Sequence, residues 1–107
     1  MAKKPITVLH IKVGEEPVTK VIDGSLKSMQ DLVGGYIECV GVAPGVDIYC
    51  NEEGKNQGLP WNIRSTQPIE GDVIAGDFFV CRHNGNGGSQ ALSAKDIEKY
   101  TALYKLP

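Results

Sequence analysis

Asn51, Glu52, Lys55, Trp61, Asn62 and Arg64 carry the densest recognition chemistry in this chain. They fall in Tyr49-Cys-Asn-Glu-Glu-Gly-Lys55 and in Gly58-Leu-Pro-Trp-Asn-Ile-Arg64 just beyond it. Asn side chains offer donor and acceptor together, as the edge of a nucleobase requires. Lys55 and Arg64 supply positive charge for phosphate, and a guanidinium grips an oxyanion with two parallel bonds. Trp61, the only tryptophan, offers a face for stacking or an anchor for a protein surface. A loop that merely connects elements needs none of this, and polar loops held on a scaffold commonly carry function. These six residues form the candidate ligand-binding set. A plainer account competes with it: Trp61 plugs the rim of the core, while Asn51 and Asn62 hydrogen-bond the backbone of their own loop.

Other residues invite catalytic or metal readings and support them poorly. Cys81 and His83 lie two apart, so an extended strand would point both to one face. A nucleophile and its base also need a mutual hydrogen bond and an orienting third group, and no such group is evident. Glu52 and Glu53 could act as an acid/base pair, but adjacent side chains usually diverge, and Glu-Glu-Gly-Lys is an ordinary solvated turn. Cys39 and Cys50 would face each other if Val42 sat opposite Asp47, a register suited to a disulfide or shared metal ligands. A slip of one residue removes it. The segment Gly85-Asn-Gly-Gly88 precedes a helix start, where backbone N–H groups can cradle phosphate. Asp96 in that first turn would repel an anion. The chain has no His-x-x-x-His, no Cys-x-x-Cys, no P-loop and no Ser-centred elbow. No catalytic residue, metal ligand or cofactor is assigned.

The surrounding elements are an α+β set. Ile6 to Val13 alternates as a strand, with Leu9, Ile11 and Val13 on one face and Val8, His10 and Lys12 on the other. Pro17 to Ile22 returns after a turn at Gly14-Glu-Glu-Pro17. Ser25 is a helix N-cap, the helix runs to about Val33, and Gly34 or Gly35 ends it. Tyr36–Val42 and Val46–Cys50 read as a hairpin around Ala43-Pro-Gly45. The polar loop from Asn51 to Gln67 is long for a compact domain. Asp72 to Cys81 reads as a strand interrupted at Ala75-Gly76. Ser93-Ala-Lys-Asp96 resembles a capping box, with Leu92 and Ile97 as its staple, and opens a helix from about Ala94 to Lys105. The spacing predicts a mainly antiparallel sheet packed with two helices, with Leu26, Met29, Leu32, Ile97 and Tyr100 buried.

The 107 residues are read as one domain, 1–107, with a net charge of −2. That charge excludes nonspecific nucleic-acid binding driven by phosphate contacts. No apolar run approaches the roughly 20 residues of a membrane span. Ile6 to Val13 is also too short for a signal-peptide core. A cytoplasmic protein with three free thiols is expected.

Met29-Gln-Asp-Leu-Val-Gly-Gly-Tyr-Ile-Glu38, Tyr49-Cys-Asn-Glu-Glu-Gly-Lys55 with Gly58-Leu-Pro60, and Gly71-Asp-Val-Ile-Ala-Gly-Asp-Phe-Phe-Val80 together resemble a family of small proteins of unassigned function. Such proteins occur in bacteriophages, plasmids and other mobile elements, and in some bacterial genomes. The family pattern has Asn-Arg soon after Leu-Pro; here Ile63 separates Asn62 from Arg64. The glycine-rich insertion before the last helix is a second departure. The resemblance implies an accessory protein of a phage or mobile element. Joined to the loop chemistry, it predicts a non-enzymatic binding protein that counteracts host defence by sequestering a small nucleotide-like ligand. The alternative is a protein–protein inhibitor or assembly factor that uses Trp61 and Leu59 as a hot spot on a host protein. A homo-oligomer is compatible with either.

Overall fold

The computed structural model describes residues 5–85 and 88–107. Apolar residues on both faces of one strand decide its architecture. Phe78, Phe79, Val80 and Cys81 are all fully buried, and a strand apolar on both sides must lie inside a sheet covered on both faces. That strand is β5 (Phe78–His83). The chain order is β1 (Ile6–Ile11), β2 (Val18–Ile22), α1 (Leu26–Val33), β3 (Ile37–Ala43), β4 (Val46–Asn51), β5, β6 (Ser89–Gln90) and α2 (Ala94–Leu103). The sheet runs β2-β1-β5-β4-β3, with β6 on β5, and every pairing is antiparallel. The fold is α+β: one six-stranded antiparallel sheet with two helices. Among the described residues no helix is long and apolar enough to cross a membrane.

Each sheet face has its own apolar cluster. On one, Ile6, Val8, Phe79 and Cys81 meet Val33 of α1, with Met29 and Leu32 packed against them. On the other, Leu9, Ile11, Ile48, Phe78 and Val80 meet Tyr100 and Tyr104 at α2, with Ile97 partly buried beside them. The expected helix faces hold except at the start of α1. Leu26 is 55% exposed, and Met29 and Leu32 are only half-buried. The short helix leans on the sheet through Val33 at its last turn, which leaves Leu26 at the far end in solvent.

The caps are those the sequence indicates. Ser25 Oγ accepts the Ser28 N–H at 3.1 Å, and Gly34 closes α1 in the left-handed region at φ 77°, where a side chain would be strained. At α2, Ser93 Oγ accepts the Asp96 N–H and Asp96 accepts the Ser93 N–H, a full capping box. Arg82 also grips both Asp96 oxygens, at 2.6 and 2.8 Å, which ties β5 to α2. The helix ends at Leu103, two residues short of Lys105.

Two further expectations, the β3–β4 register and a strand over Asp72–Cys81, are corrected. Cys39 faces Tyr49, and Cys50 faces Glu38, because a register shift between Gly41 and Ala43 displaces the β3–β4 pairing. All three thiols are free, with Cys39 exposed and Cys50 and Cys81 buried. The segment from Asp72 to Asp77 leaves the sheet instead of extending β5. It runs beside the long loop, where Ala75 pairs with Trp61 in an isolated bridge. The short strand β6 was not anticipated. Asn86 and Gly87 of the glycine-rich segment lie outside the described residues.

Acid should weaken this fold in two steps. His10 is buried beneath α1 with Nε2 against the Leu32 carbonyl at 2.9 Å. That carbonyl requires the proton on Nε2. Burial holds the imidazole below its usual 6.5, although the Leu32 bond opposes the shift. The unfolded chain therefore takes up a proton that the folded one resists, and stability falls as pH drops below 6.5. Asp96 is held well below its usual 3.8, foremost by Arg82. Its contribution is intact above 3.8 and is lost as pH falls further. Urea midpoints measured from pH 8 to 3 should show both declines. His10→Gln should remove the first and Asp96→Asn the second.

Candidate functional site

The long loop divides into two halves with different tasks. Asn51 to Gly58 is a series of tight turns built on Asn51. Its Oδ1 accepts the Glu53 N–H at 2.8 Å, and its Nδ2 donates to the Val33 carbonyl at 3.2 Å. Asn51 is thus buried and fastens the turn to the end of α1. Gly54 packs so closely that a Cβ there would lie 2.5 Å from the Ala75 carbonyl oxygen. Lys55, at the crest, holds both oxygens of Asp72 at 2.7 Å. Both side chains are about half exposed, so water and salt screen the pair and it adds little to stability.

Pro60 to Arg64 is extended and alternates. The Asn62 N–H donates to the Ile74 carbonyl and the Gly76 N–H to the Pro60 carbonyl, each at 2.7 Å. Residues two apart then share a side. Asn62 and Arg64 point inward, 0% and 3% exposed; Trp61 and Ile63 point outward, 55% and 46% exposed.

The inward pair is a clamp. Asn62 Nδ2 donates to the carbonyls of Ile11 and Gly76, both at 2.9 Å. Its Oδ1 accepts from Arg64 Nε at 2.7 Å. Arg64 Nη1 donates to the Glu15 and Tyr104 carbonyls at 2.6 and 3.2 Å, and Nη2 donates to the Lys12 carbonyl. One guanidinium thereby joins the β1–β2 turn, the loop and the end of α2. Burial pulls its pKa below the ordinary value, opposed by nearby Glu16 and Asp77. Asn62 and Arg64 are accordingly withdrawn from the surface they were expected to frame. The single residue Ile63 between them puts them on one side of the extended chain.

The six candidate residues therefore do not form one patch. Asn51, Asn62 and Arg64 are structural hydrogen-bonding groups. Trp61 stands in solvent instead of plugging the core rim. Glu52 and Lys55 line a cleft of about 260 Å³ between the end of β4 and Ile69–Ala75, with Glu38, Asn56 and Asp72 also lining it. Its buried Cys50 thiol is pushed up to about 11, mainly by burial and then by Glu38. Glu53 instead lines a second cleft, of about 580 Å³, at the C-terminal end of α1 beside Tyr36. The adjacent carboxylates thus diverge, and no acid/base pair forms.

The remaining catalytic candidates come apart in the same way. Burial pushes the Cys81 thiol up to about 12, where thiolate is negligible at neutral pH. The His83 ring bonds Asp47 instead, with Nδ1 to Oδ2 at 2.6 Å. Among the described residues no three His, Cys, Asp or Glu side chains converge to hold a metal ion. At the start of α2, Asp96 is already committed to Ser93 and Arg82.

Sequence reasoning passed over Tyr36 and Ile63. Tyr36 is 71% exposed. Its signal was an aromatic placed directly after a Gly-Gly helix stop. The signal for Ile63 was its place between two polar residues in an extended segment.

A family model described as a domain of unknown function (DUF3846) matches residues 6–105, and the chain belongs to that family. No curated protein and no solved structure matches it.

Proposed function

We propose that this DUF3846 protein is a non-enzymatic binding module that docks a protein partner through the outward face of Trp61 and Ile63. The observation that carries the reading is the alternation at 61–64. The inward side chains are locked by backbone carbonyls, so the outward indole is presented on a rigid strip. Interface hot spots are built on such aromatic anchors, and a strip whose backbone is already fixed loses little further freedom on docking. The enzyme reading is disfavoured by two raised thiol pKa values and by the divergence of Glu52 from Glu53. The accessory role in a phage or mobile element, counteraction of host defence and residence in the host cytoplasm belong to this reading, on the strength of the family resemblance.

Sequestration of a small nucleotide-like ligand is the second reading. The cleft beside Lys55 favours it, with Asn56 and Glu52 offering donors and acceptors. It ranks lower because Arg64 and Asn62 are spent on the fold and Lys55 is paired to Asp72.

The experiment places a photo-crosslinking residue at position 63, or at exposed Val18 as a control, in protein expressed in its host. Small molecules released from the purified wild type are analysed by mass spectrometry in parallel. We expect a protein adduct specific to position 63 and no released nucleotide. A released nucleotide with no adduct at 63 would reverse the ranking.

A further inference from the structure

The larger cleft has a chemistry that a merely apolar docking surface would not need. Its wall is Tyr36, whose ring has no ring partner among the described residues. Asp31 and Glu53 bring carboxylates, Gln30 and Gln57 bring amides, and no Lys or Arg lines it. The C-terminal end of α1, the negative end of the helix dipole, closes it. Asp31 pairs with Lys27 at 3.3 Å, a side chain 83% exposed on the same helix and easily displaced.

Each feature favours a cation. An aromatic face attracts positive charge through its quadrupole, the helix terminus through its dipole, and the carboxylates through charge-assisted hydrogen bonds. A phosphate would be repelled by all three. A planar guanidinium fits best, since it stacks on a ring and forks to a carboxylate at the same time.

The cleft also connects to the docking strip. A groove of about 350 Å³ shares Asp31 and Gly34 with it and leads to Leu59 and Pro60, next to Trp61. The small cleft adjoins on the other side through Asn51. Together the three are lined by six of the chain's thirteen carboxylates and by one cation, Lys55, itself paired to Asp72. With Asp31 paired to Lys27 and Asp72 to Lys55, four carboxylates without an ion pair among the described residues remain around these clefts, more than the chain's net −2.

We propose that the Tyr36 cleft receives an arginine side chain of the partner that docks on Trp61 and Ile63, so that the partner presents a basic segment there. This rests on the docking reading above.

The probe is a capped Gly-Arg-Gly-Arg-Gly peptide, titrated into the labelled protein and followed by NMR. Its control is the same peptide with citrulline, which keeps the shape and removes the charge. We expect saturable shifts centred on Gly34, Gly35, Tyr36 and Gln57. Affinity should be at least tenfold lower for the citrulline peptide, for Tyr36→Ala and for Asp31→Asn/Glu53→Gln. All three substituted side chains are exposed, so these variants should fold. Shifts spread evenly over every carboxylate, or binding unchanged in Tyr36→Ala, would overturn the proposal. Trp61→Ala/Ile63→Ala should bind the peptide normally, because neither residue lines the cleft. Failure at Tyr36 is thereby separable from failure of the docking strip, which is read from partner affinity.

Discussion

Arg64→Ala should destabilise the protein by about 3–5 kcal/mol, because it takes a four-bonded donor away from several acceptors at once. The substitution strands the carbonyls of Glu15 and Tyr104 and the amide oxygen of Asn62, and leaves the Lys12 carbonyl with the Glu15 N–H alone. Each buried acceptor left alone costs about 1–3 kcal/mol, and water entering the vacated space recovers part of that. Small domains are stable by only about 5–15 kcal/mol, so urea melts should show a large fall in midpoint. Arg64→Lys should recover less than half of the loss. One ammonium cannot reach acceptors arranged around a planar fork. A change under about 0.5 kcal/mol, typical of surface substitutions, would mean that Arg64 is not the clamp described above.

Trp61→Ala/Ile63→Ala should do the opposite. Both side chains stand in solvent, and the pairing with Ala75 and the Ile74 and Gly76 backbone uses main-chain groups that survive the change. The urea midpoint should hold. Affinity for the protein partner should fall by about 30-fold or more, the equivalent of about 2 kcal/mol for an aromatic anchor. Four consecutive residues divide into two that support the fold and two that stand in solvent.

Much of the scaffold could be read from the chain because its signals are local. Apolar alternation in β1 and β4, the double-sided apolar run of β5, and the capping residues Ser25, Gly34, Ser93 and Asp96 each act over a few positions. The β3–β4 register was not local in that sense. The shift between Gly41 and Ala43 moves Cys39 away from Cys50 without any change in composition. The site was harder still. Trp61 was recognisable by type. The direction in which it points depends on phase, and phase is set by carbonyls at Ile11, Lys12, Glu15 and Tyr104, far away in sequence. Asn62 and Arg64 have the residue types that recognise bases and phosphates. Those same donors serve a backbone carbonyl equally well, and here the fold uses them. The exposure of Tyr36 likewise follows from how the Gly34-Gly35 turn meets β3, which no periodicity reports.

The most direct measurement is calorimetry of the partner captured at position 63, titrated into wild type and into Trp61→Ala/Ile63→Ala protein first shown to melt normally. Affinity should be reduced about 30-fold or more in the variant. Equal affinity for the two proteins would contradict the docking strip and move attention to the Lys55 cleft.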